Sequence, residues 1–332
     1  KRKGKEQMKI QVSVIIPVYN CEKFIKKCIQ SVRQQTFTEF EAIIINDGST
    51  DGSWDILSEL VAGDERFFLV NQGNKGVAAA RNRGVELSKG KYLLFIDGDD
   101  YIGENYIKNL VNAAESCQAQ MVICGFRCIG ESGKTVKKII PGSYIRYEKE
   151  EWAFRISAVW SHLYLRELWE KYEIRFEYGE RGEDMPVSLF FNVMCDKIVT
   201  LAEADYYYVQ HPCSAMHNFR GLKKYRLPYR GLEKAVQKIQ EYGTSNSPEF
   251  YELFVLRILS TCYFDLSRGA DRNKKRELCN YIYYILQTYF PQYYTNRKAC
   301  IFSRLELPLY QKIAVRCLII LARTKLLYPA SI

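Results

Sequence analysis

Nowhere does the sequence offer an apolar run long enough to cross a membrane. The longest charge-free stretch toward the C-terminus, Leu278–Asn296, is interrupted by Asn280, Gln287, Pro291 and Gln292, whereas a spanning helix needs about 20 predominantly apolar residues. No C-x-x-C pair occurs among the 11 cysteines, which removes the usual spacings of zinc and dithiol sites. So many scattered thiols, odd in number, suit a reducing compartment. The apolar stretch Val12–Val18 is too short for the core of a secretory signal and lacks a small-residue cleavage site. A cytoplasmic location is therefore expected. Histidine is scarce, with only His162, His211 and His217. A lone histidine reads first as structural. With 9 Pro and 20 Gly, 47% hydrophobic and 26% charged residues, disorder, collagen and coiled coil are excluded as the overall class.

The 332 residues leave room for two domains. Charge divides them unevenly. Residues 220–332 hold 20 Lys and Arg against 8 Asp and Glu, a net +12, while residues 1–219 hold 28 against 30, a net −2. A field of that sign attracts anionic surfaces. Charge alone leaves it equally a solvated helical face.

Residues 12–124 alternate between two periodicities. Strands are expected at Val12–Ile16, Ala42–Ile45, Phe67–Val70, Tyr92–Ile96 and Met121–Cys124. Helical spacing fills the intervals Cys21–Gln35, Ser49–Ala62, Gly76–Ser88 and Glu104–Ser116, with Ser49 or Thr50 as N-cap of the second. This alternation predicts an α/β fold whose mostly parallel sheet carries helices on both faces. Beyond it, short strands are expected near Gly125–Cys128 and Lys134–Ile140, and helices over Lys149–Ala158 and Leu165–Tyr172. A polar, acidic loop covers Tyr178–Asp184, and Tyr208–His211 reads as strand. From Leu222 onward the pattern is helical: Leu222–Tyr242, Pro248–Arg268, Lys274–Tyr289 and Leu309–Leu327.

In open α/β sheets, ligands bind beyond the carboxyl ends of the strands. There the sequence places Pro17-Val18-Tyr19-Asn20, Asn46-Asp47-Gly48-Ser49-Thr50-Asp51-Gly52 and Asp97-Gly98-Asp99-Asp100. The three carboxylates of the last turn repel one another unless a cation sits among them. Oxygen-only donors suit Mg²⁺ or Mn²⁺ bridging to substrate phosphates. The same turn can equally cap the following helix. Asp47 and Asp51 can accept from a base or ribose, or cap a helix. Asn74-Lys75-Gly76 leads into Ala80-Arg81-Asn82-Arg83-Gly84, where Arg81 can reach a diphosphate or simply line a close-packed helix. Glu183-Asp184 can supply a general base or be a solvated acidic loop.

Together, Val14-Ile15-Ile16-Pro17-Val18-Tyr19-Asn20, Asn46–Gly52, Asn74–Gly76 with Ala80–Gly84, Tyr92–Asp100 and Glu183-Asp184 resemble the family 2 glycosyltransferases of GT-A fold, over residues 11 to about 218. The resemblance implies inverting, metal-dependent transfer of one sugar from a nucleotide diphosphate donor, UDP foremost, to an acceptor hydroxyl, with Mn²⁺ or Mg²⁺ as cofactor. It implies that Pro17, Tyr19, Asn20, Asp47, Lys75, Gly76, Arg81, Asp97 and Gly98 hold the donor. It also implies that Asp99 and Asp97 bind the metal, that Asp184 with Glu183 carries the base, and that His217 or Ser214 touches the diphosphate. Bacterial surface polysaccharide synthesis is the expected setting. The expected acceptor is a saccharide or a lipid-linked saccharide, and nucleic acid is not an expected partner.

Two departures stand out. Asn46 replaces an aspartate common in the family, and the Q-x-x-R-W signature of processive synthases is absent, since Gln210 is followed by His211-Pro212-Cys213. Single addition is the better reading. Residues 1–219 are expected to form the transferase domain and 220–332 a basic helical region. A nucleotidyltransferase would need a glycine-rich basic loop where Pro17–Cys21 stands. A non-catalytic partner subunit of the same fold would have no use for the acidic turn. Leu309–Leu327 places Leu309, Ile313, Ala314, Cys317, Ile320, Leu321 and Leu327 at helical spacing, with Lys312, Arg316, Arg323 and Lys325 and no acidic residue. That pattern leaves two partners open: an anionic membrane surface at the inner face of the cell membrane, or the protein's own core or a second copy in a homo-oligomer.

Overall fold

The computed structural model describes residues 10–141, 144–146 (backbone only), 158–212, 226–244, 247–303 and 307–328. The chain forms two compact units. The first comprises Lys1–Tyr147, Val159–Tyr178 and Lys197–His211; the second comprises Glu148–Ala158, Gly179–Asp196 and Pro212–Ile332.

The first unit is built on strands β1 (Val12–Val18), β2 (Phe40–Asp47), β3 (Phe67–Gln72), β4 (Tyr92–Phe95), β5 (Tyr101–Ile102), β6 (Met121–Ile129), β7 (Thr135–Ile139), β8 (Tyr144–Arg146), β9 (His162–Leu165) and β10 (Ile198–Val209). Their order is β3-β2-β1-β4-β9-β6-β10-β5, with β7 on β6 and β8 on β10. The pairs β1–β2, β1–β4, β2–β3 and β6–β10 are parallel. The expected alternating half is thus present as an α/β layer. The sheet also differs from expectation. Strand β9 is wedged antiparallel between β4 and β6, and Gly125–Cys128 is the continuation of β6 rather than a separate strand.

Every residue of β1 is buried, as a central strand covered on both faces requires. Helices α1 (Ile25–Arg33), α2 (Ser53–Val61) and α4 (Tyr106–Cys117) cover one face, where Val12, Val14, Ile16, Ile29, Leu57 and Leu110 share a core. Helix α3 (Val77–Leu87) covers the other. Its small residues let it approach closely: a Cβ on Gly84 would stand 2.3 Å from Ile15 Cγ2. A short helix, α5 (Arg166–Lys171), follows β9. The register of β6 and β10 shifts between Leu201 and Tyr206. Gly125 occupies that irregularity, where a Cβ would meet Ile139 O at 2.2 Å and Glu203 O at 2.5 Å.

Helix α2 starts later than expected. Ser49 and Thr50 do not cap it. The Asp51 carboxylate accepts from the Ser53 N–H at 3.0 Å instead, because both hydroxyls are engaged with the loop after β1.

The second unit is helical: α6 (Asp184–Met194), α7 (Tyr229–Tyr242), α8 (Pro248–Thr261) continued by a π-helical turn at Cys262–Leu266, α9 (Arg272–Tyr289) and α10 (Leu309–Arg323). Pro228 and Pro248 start α7 and α8, where a missing N–H costs nothing. Helix α10 ends at Arg323, short of the expected Leu327. The helix expected over Lys149–Ala158 falls on residues 149–157, outside the described residues.

His162 shows how a lone histidine is absorbed by a core. It is fully buried in β9, and its Nδ1–H donates to the Trp160 carbonyl at 2.8 Å. Its ring stacks on Tyr164. Burial lowers its pKa to about 4. The unfolded chain, titrating near 6.5, therefore takes up the proton first. Stability is expected to fall as pH drops from about 6.5 toward 4, by roughly 3 kcal/mol at most. Thermal melts of native protein and His162→Phe across that window check this. Parallel pH slopes would sink it.

Candidate active site

The candidate site residues of the first unit gather where β1, β2, β4 and β10 end. Asn20 is held in the left-handed region, with φ 52°. Its N–H donates to Ser49 Oγ at 3.0 Å, and its Oδ1 accepts the Thr50 N–H at 2.8 Å. Asp51 accepts the Glu22 N–H at 3.1 Å, and Glu22 accepts the Gly52 N–H at 2.9 Å. The loops after β1 and β2 are thus stitched together. Tyr19 projects from them, 48% exposed.

Asp47 is buried at the end of β2. Its Oδ1 accepts from Gln72 Nε2 at 2.7 Å and from the Lys75 N–H at 3.0 Å, and its Oδ2 accepts the Gly76 N–H at 2.7 Å. The carboxylate therefore organises the turn before α3, leaving the Lys75 side chain and Gly76 at the surface. Gly48, at φ +70°, lets this turn close, since a Cβ would meet Asn74 N at 2.7 Å. The neutral Asn46 has its own partner: its Nδ2 donates to Asn71 Oδ1 across β2 and β3 at 2.8 Å.

Asp97, Asp99 and Asp100 follow β4 and offer carboxylate oxygens within 4.8 Å of one another. Gly98 permits their turn to lie on β1, because a Cβ there would stand 3.0 Å from Pro17 O and 3.1 Å from Val18 Cγ2. Each carboxylate has a different partner. Arg81, buried in α3, donates from Nη2 to Asp97 Oδ1 at 2.9 Å. His211 Nε2–H donates to Asp99 Oδ2 at 2.9 Å while its ring stacks on Phe24. Asp100 accepts from the Tyr206 hydroxyl at 2.6 Å and from the Val209 N–H at 2.8 Å. The Asp97 N–H in turn donates to Tyr206 Oη at 3.3 Å. Burial first, then the charges of Asp99 and Asp97, holds the Asp100 carboxyl well above the usual carboxylate range. Asp100 is thus a structural anchor rather than a cap for α4, which begins only at Tyr106.

Asp97 and Asp99 remain partly open, at 25% and 27% side-chain exposure, with an imidazole nitrogen beside them. The hard carboxylate oxygens fit Mn²⁺ or Mg²⁺, while the His211 imidazole is committed to Asp99. The neighbouring thiol is inert: burial, then the Asp99 charge, pushes Cys21 up to about 12. A cavity of about 470 Å³ is lined by Gln72, Lys75, Ala79, Arg83, Glu86 and Tyr178, none of them one of the three carboxylates.

Asn82 belongs to the architecture. Its amide donates to Phe176 O at 2.8 Å and accepts the Phe176 N–H at 2.9 Å, and Phe176 lies under the Arg81 guanidinium. Glu183 and Asp184 belong to the second unit. They are the N-cap and first residue of α6, rather than members of a free loop. The preceding segment is tied down by Glu180, whose carboxylate accepts the Arg230 and Gly231 N–H groups at the start of α7, at 2.8 and 3.1 Å. His217 and Ser214 lie outside the described residues. The residues that sequence reasoning passed over are His211 and Tyr206. For His211 the signal was position, just beyond the end of a strand, the criterion that had singled out Asp97; Tyr206, inside β10, gave none.

Residues 13–173 match the family model for glycosyl transferase family 2. The chain is 32% identical over 212 residues to glycosyltransferase GlyA of Streptococcus pneumoniae, covering 60% of this chain and 30% of that protein. It is 30% identical over 247 residues to the putative glycosyltransferase EpsH of Bacillus subtilis, covering 70% and 71%. The chain thus spans less than a third of the first of these relatives. Its fold is similar to that of S. aureus TarS residues 1–349, crystallised with UDP-GlcNAc, at TM-score 0.71 and 18% identity, covering 95% of this chain and 92% of the other.

Tyr206 joins two of the three carboxylate-bearing residues, so Tyr206→Phe is expected to cost roughly 1–3 kcal/mol by leaving Asp100 under-bonded in the interior. Denaturant melts measure the loss. An unchanged midpoint would show that the hydroxyl does not support the turn.

Proposed function

The chain belongs to glycosyl transferase family 2, and on that premise we propose that it moves a single sugar, with inversion, from a UDP-sugar to an acceptor hydroxyl in the synthesis of a bacterial surface polysaccharide or glycoconjugate. The observation that carries the reading is the cluster of Asp97, Asp99 and Asp100 at the strand ends, with Arg81 and His211 hydrogen-bonded to two of its members. The UDP-GlcNAc seen in TarS supports uridine as the nucleotide.

Residues 1–219 carry donor binding and chemistry, and residues 220–332 form the accessory helical region. The end of β1 at Pro17 and the loop bearing Tyr19 and Asn20, with Asp47 behind the Lys75–Gly76 turn, form the nucleoside cradle. The exposed Lys75 ammonium offers a positive charge to the diphosphate. Asp99 and Asp97 hold the cation, with His211 beside them; Gly98 keeps the turn low enough for a donor to lie across it. When bound, Mn²⁺ or Mg²⁺ supplies charge neutralisation at the departing nucleotide diphosphate. Arg81 keeps Asp97 fixed, so the carboxylates need no rearrangement when the donor arrives. His217 is a further diphosphate contact in this reading.

Asp184 takes the proton from the acceptor hydroxyl, with Glu183 adjoining it, while the acceptor oxygen attacks the anomeric carbon and the nucleotide diphosphate leaves. Glu180 holds the segment preceding this pair to the start of α7. The acceptor is a saccharide or lipid-linked saccharide.

Asp99→Asn is expected to abolish transfer and the Mn²⁺-dependent part of UDP binding. Calorimetry with and without Mn²⁺ is the check, and equal affinities for the native protein would remove the metal from the reaction. Asp184→Asn should keep UDP-sugar affinity while kcat falls about 10²–10⁴-fold. Should Glu183→Gln behave that way and Asp184→Asn stay active, the base is Glu183.

A further inference from the structure

Helix α10 has two apolar faces. At 3.6 residues per turn, Val315, Leu318, Ile319 and Ala322 share one side, and all four are buried. They pack in the second unit, where α10 lies on α8. Leu309, Tyr310, Ile313, Cys317 and Ile320 form a stripe on the opposite side, about 100° wide. That stripe is open: Leu309 is 62% exposed, Tyr310 65%, Ile313 43% and Ile320 50%. Beside it, Lys312 Nζ donates to Ser303 O at 2.7 Å, which brings the turn holding Phe302 to the first turns of the helix. Phe302 is 92% exposed.

The outer stripe is edged by cations. Lys312, Arg316 and Arg323 fall on one flank, between the buried and the exposed faces, and Lys325 follows the helix end. None of the four forms an ion pair with a carboxylate among the described residues. Arg323 lies over the half-exposed Tyr294 ring, 4.9 Å from its centroid. No acidic residue interrupts α10.

Burial of the inner face accounts for why the helix folds. It leaves the outer stripe, a contiguous apolar surface with a basic margin, uncovered among the described residues. We propose that this face rests on an anionic lipid surface: Phe302, Leu309, Tyr310, Ile313 and Ile320 enter the boundary of headgroups and acyl chains, and Lys312, Arg316 and Arg323 lie level with the phosphates. The charge selects this occupant over a second copy of the chain. An antiparallel twofold contact through the same stripe would set each basic margin against its own image, and any such contact would join two regions of net charge +12. The inference is independent of the transferase reading, since none of these residues belongs to the donor site.

Flotation of the full chain with phosphatidylglycerol-containing vesicles, and with neutral phosphatidylcholine vesicles, tests it. Binding to the anionic vesicles at low salt is expected, weakening as salt screens the attraction. Neutral vesicles should bind at least about tenfold less. The variant Ile313→Glu/Ile320→Glu should lose flotation while keeping its melting temperature and UDP affinity. Arg316→Gln/Arg323→Gln, which leaves the apolar stripe intact, should lose the preference for anionic lipid. In Phe302→Trp, vesicle addition should shift the emission of the new indole to the blue. The proposal is overturned if the full chain stays unbound at low salt, or if both double variants float like the native protein. It is equally overturned if sedimentation shows a dimer that Ile313→Glu dissociates, since the stripe is then a contact between copies.

Discussion

Asp100 places a carboxyl group in the interior, 1% exposed, beside two more acidic side chains. Left alone, that arrangement would push the turn apart. It is stable because β10 supplies the Tyr206 hydroxyl and the Val209 N–H to the buried group. Arg81 and His211 then take one oxygen each from Asp97 and Asp99. A buried, hydrogen-bonded carboxyl thus serves as the rivet that lets two neighbouring carboxylates be presented at the surface. The rest of the sheet edge follows this pattern, with polar side chains spent on holding loops so that backbone and a few open groups can face a ligand. Asp47 is spent on Lys75 and Gly76, and Asn20 on Thr50.

Much of this was legible from the chain. The β-branched runs of β1 and β2, and the helical spacing of α1 and α3, reported the layer because each element buries a face whose period is local. The glycines and carboxylates at strand ends reported the site because their chemistry has few other uses there. What escaped was nonlocal. The four residues of β9 are too few to show a period, and their antiparallel insertion between β4 and β6 depends on which edge was vacant. Tyr206 stood in a run of three tyrosines with nothing to distinguish it. Asp51 displaced Ser49 and Thr50 as the cap because their hydroxyls are used by Asn20, a contact across 30 positions.

The second unit shows the same limit in another form. Periodicity along α10 identified an apolar stripe, yet that stripe is the outer one, while Val315, Leu318, Ile319 and Ala322 form the inner seam. A helix apolar on two sides gives a weak amphipathic signal, and only packing separates the faces. Glu180 was similarly inconspicuous in a polar loop. It is in fact a buried carboxylate capping α7, which ties the segment before α6 to the start of α7 within the second unit.

The fasteners of the acidic turn have a bearing on the order in which the protein comes together. Tyr206, Val209 and His211 stand 106, 109 and 112 positions after their aspartate partners. While the chain emerges, β1 to β4 can pair and α1 to α3 can cover them, yet the carboxylates still lack their anchors. Contacts of such separation close late, because the intervening loop must first lose its entropy. The strand that completes the sheet also supplies these anchors, so a half-made molecule holds the acidic turn without the partners that fix its carboxylates.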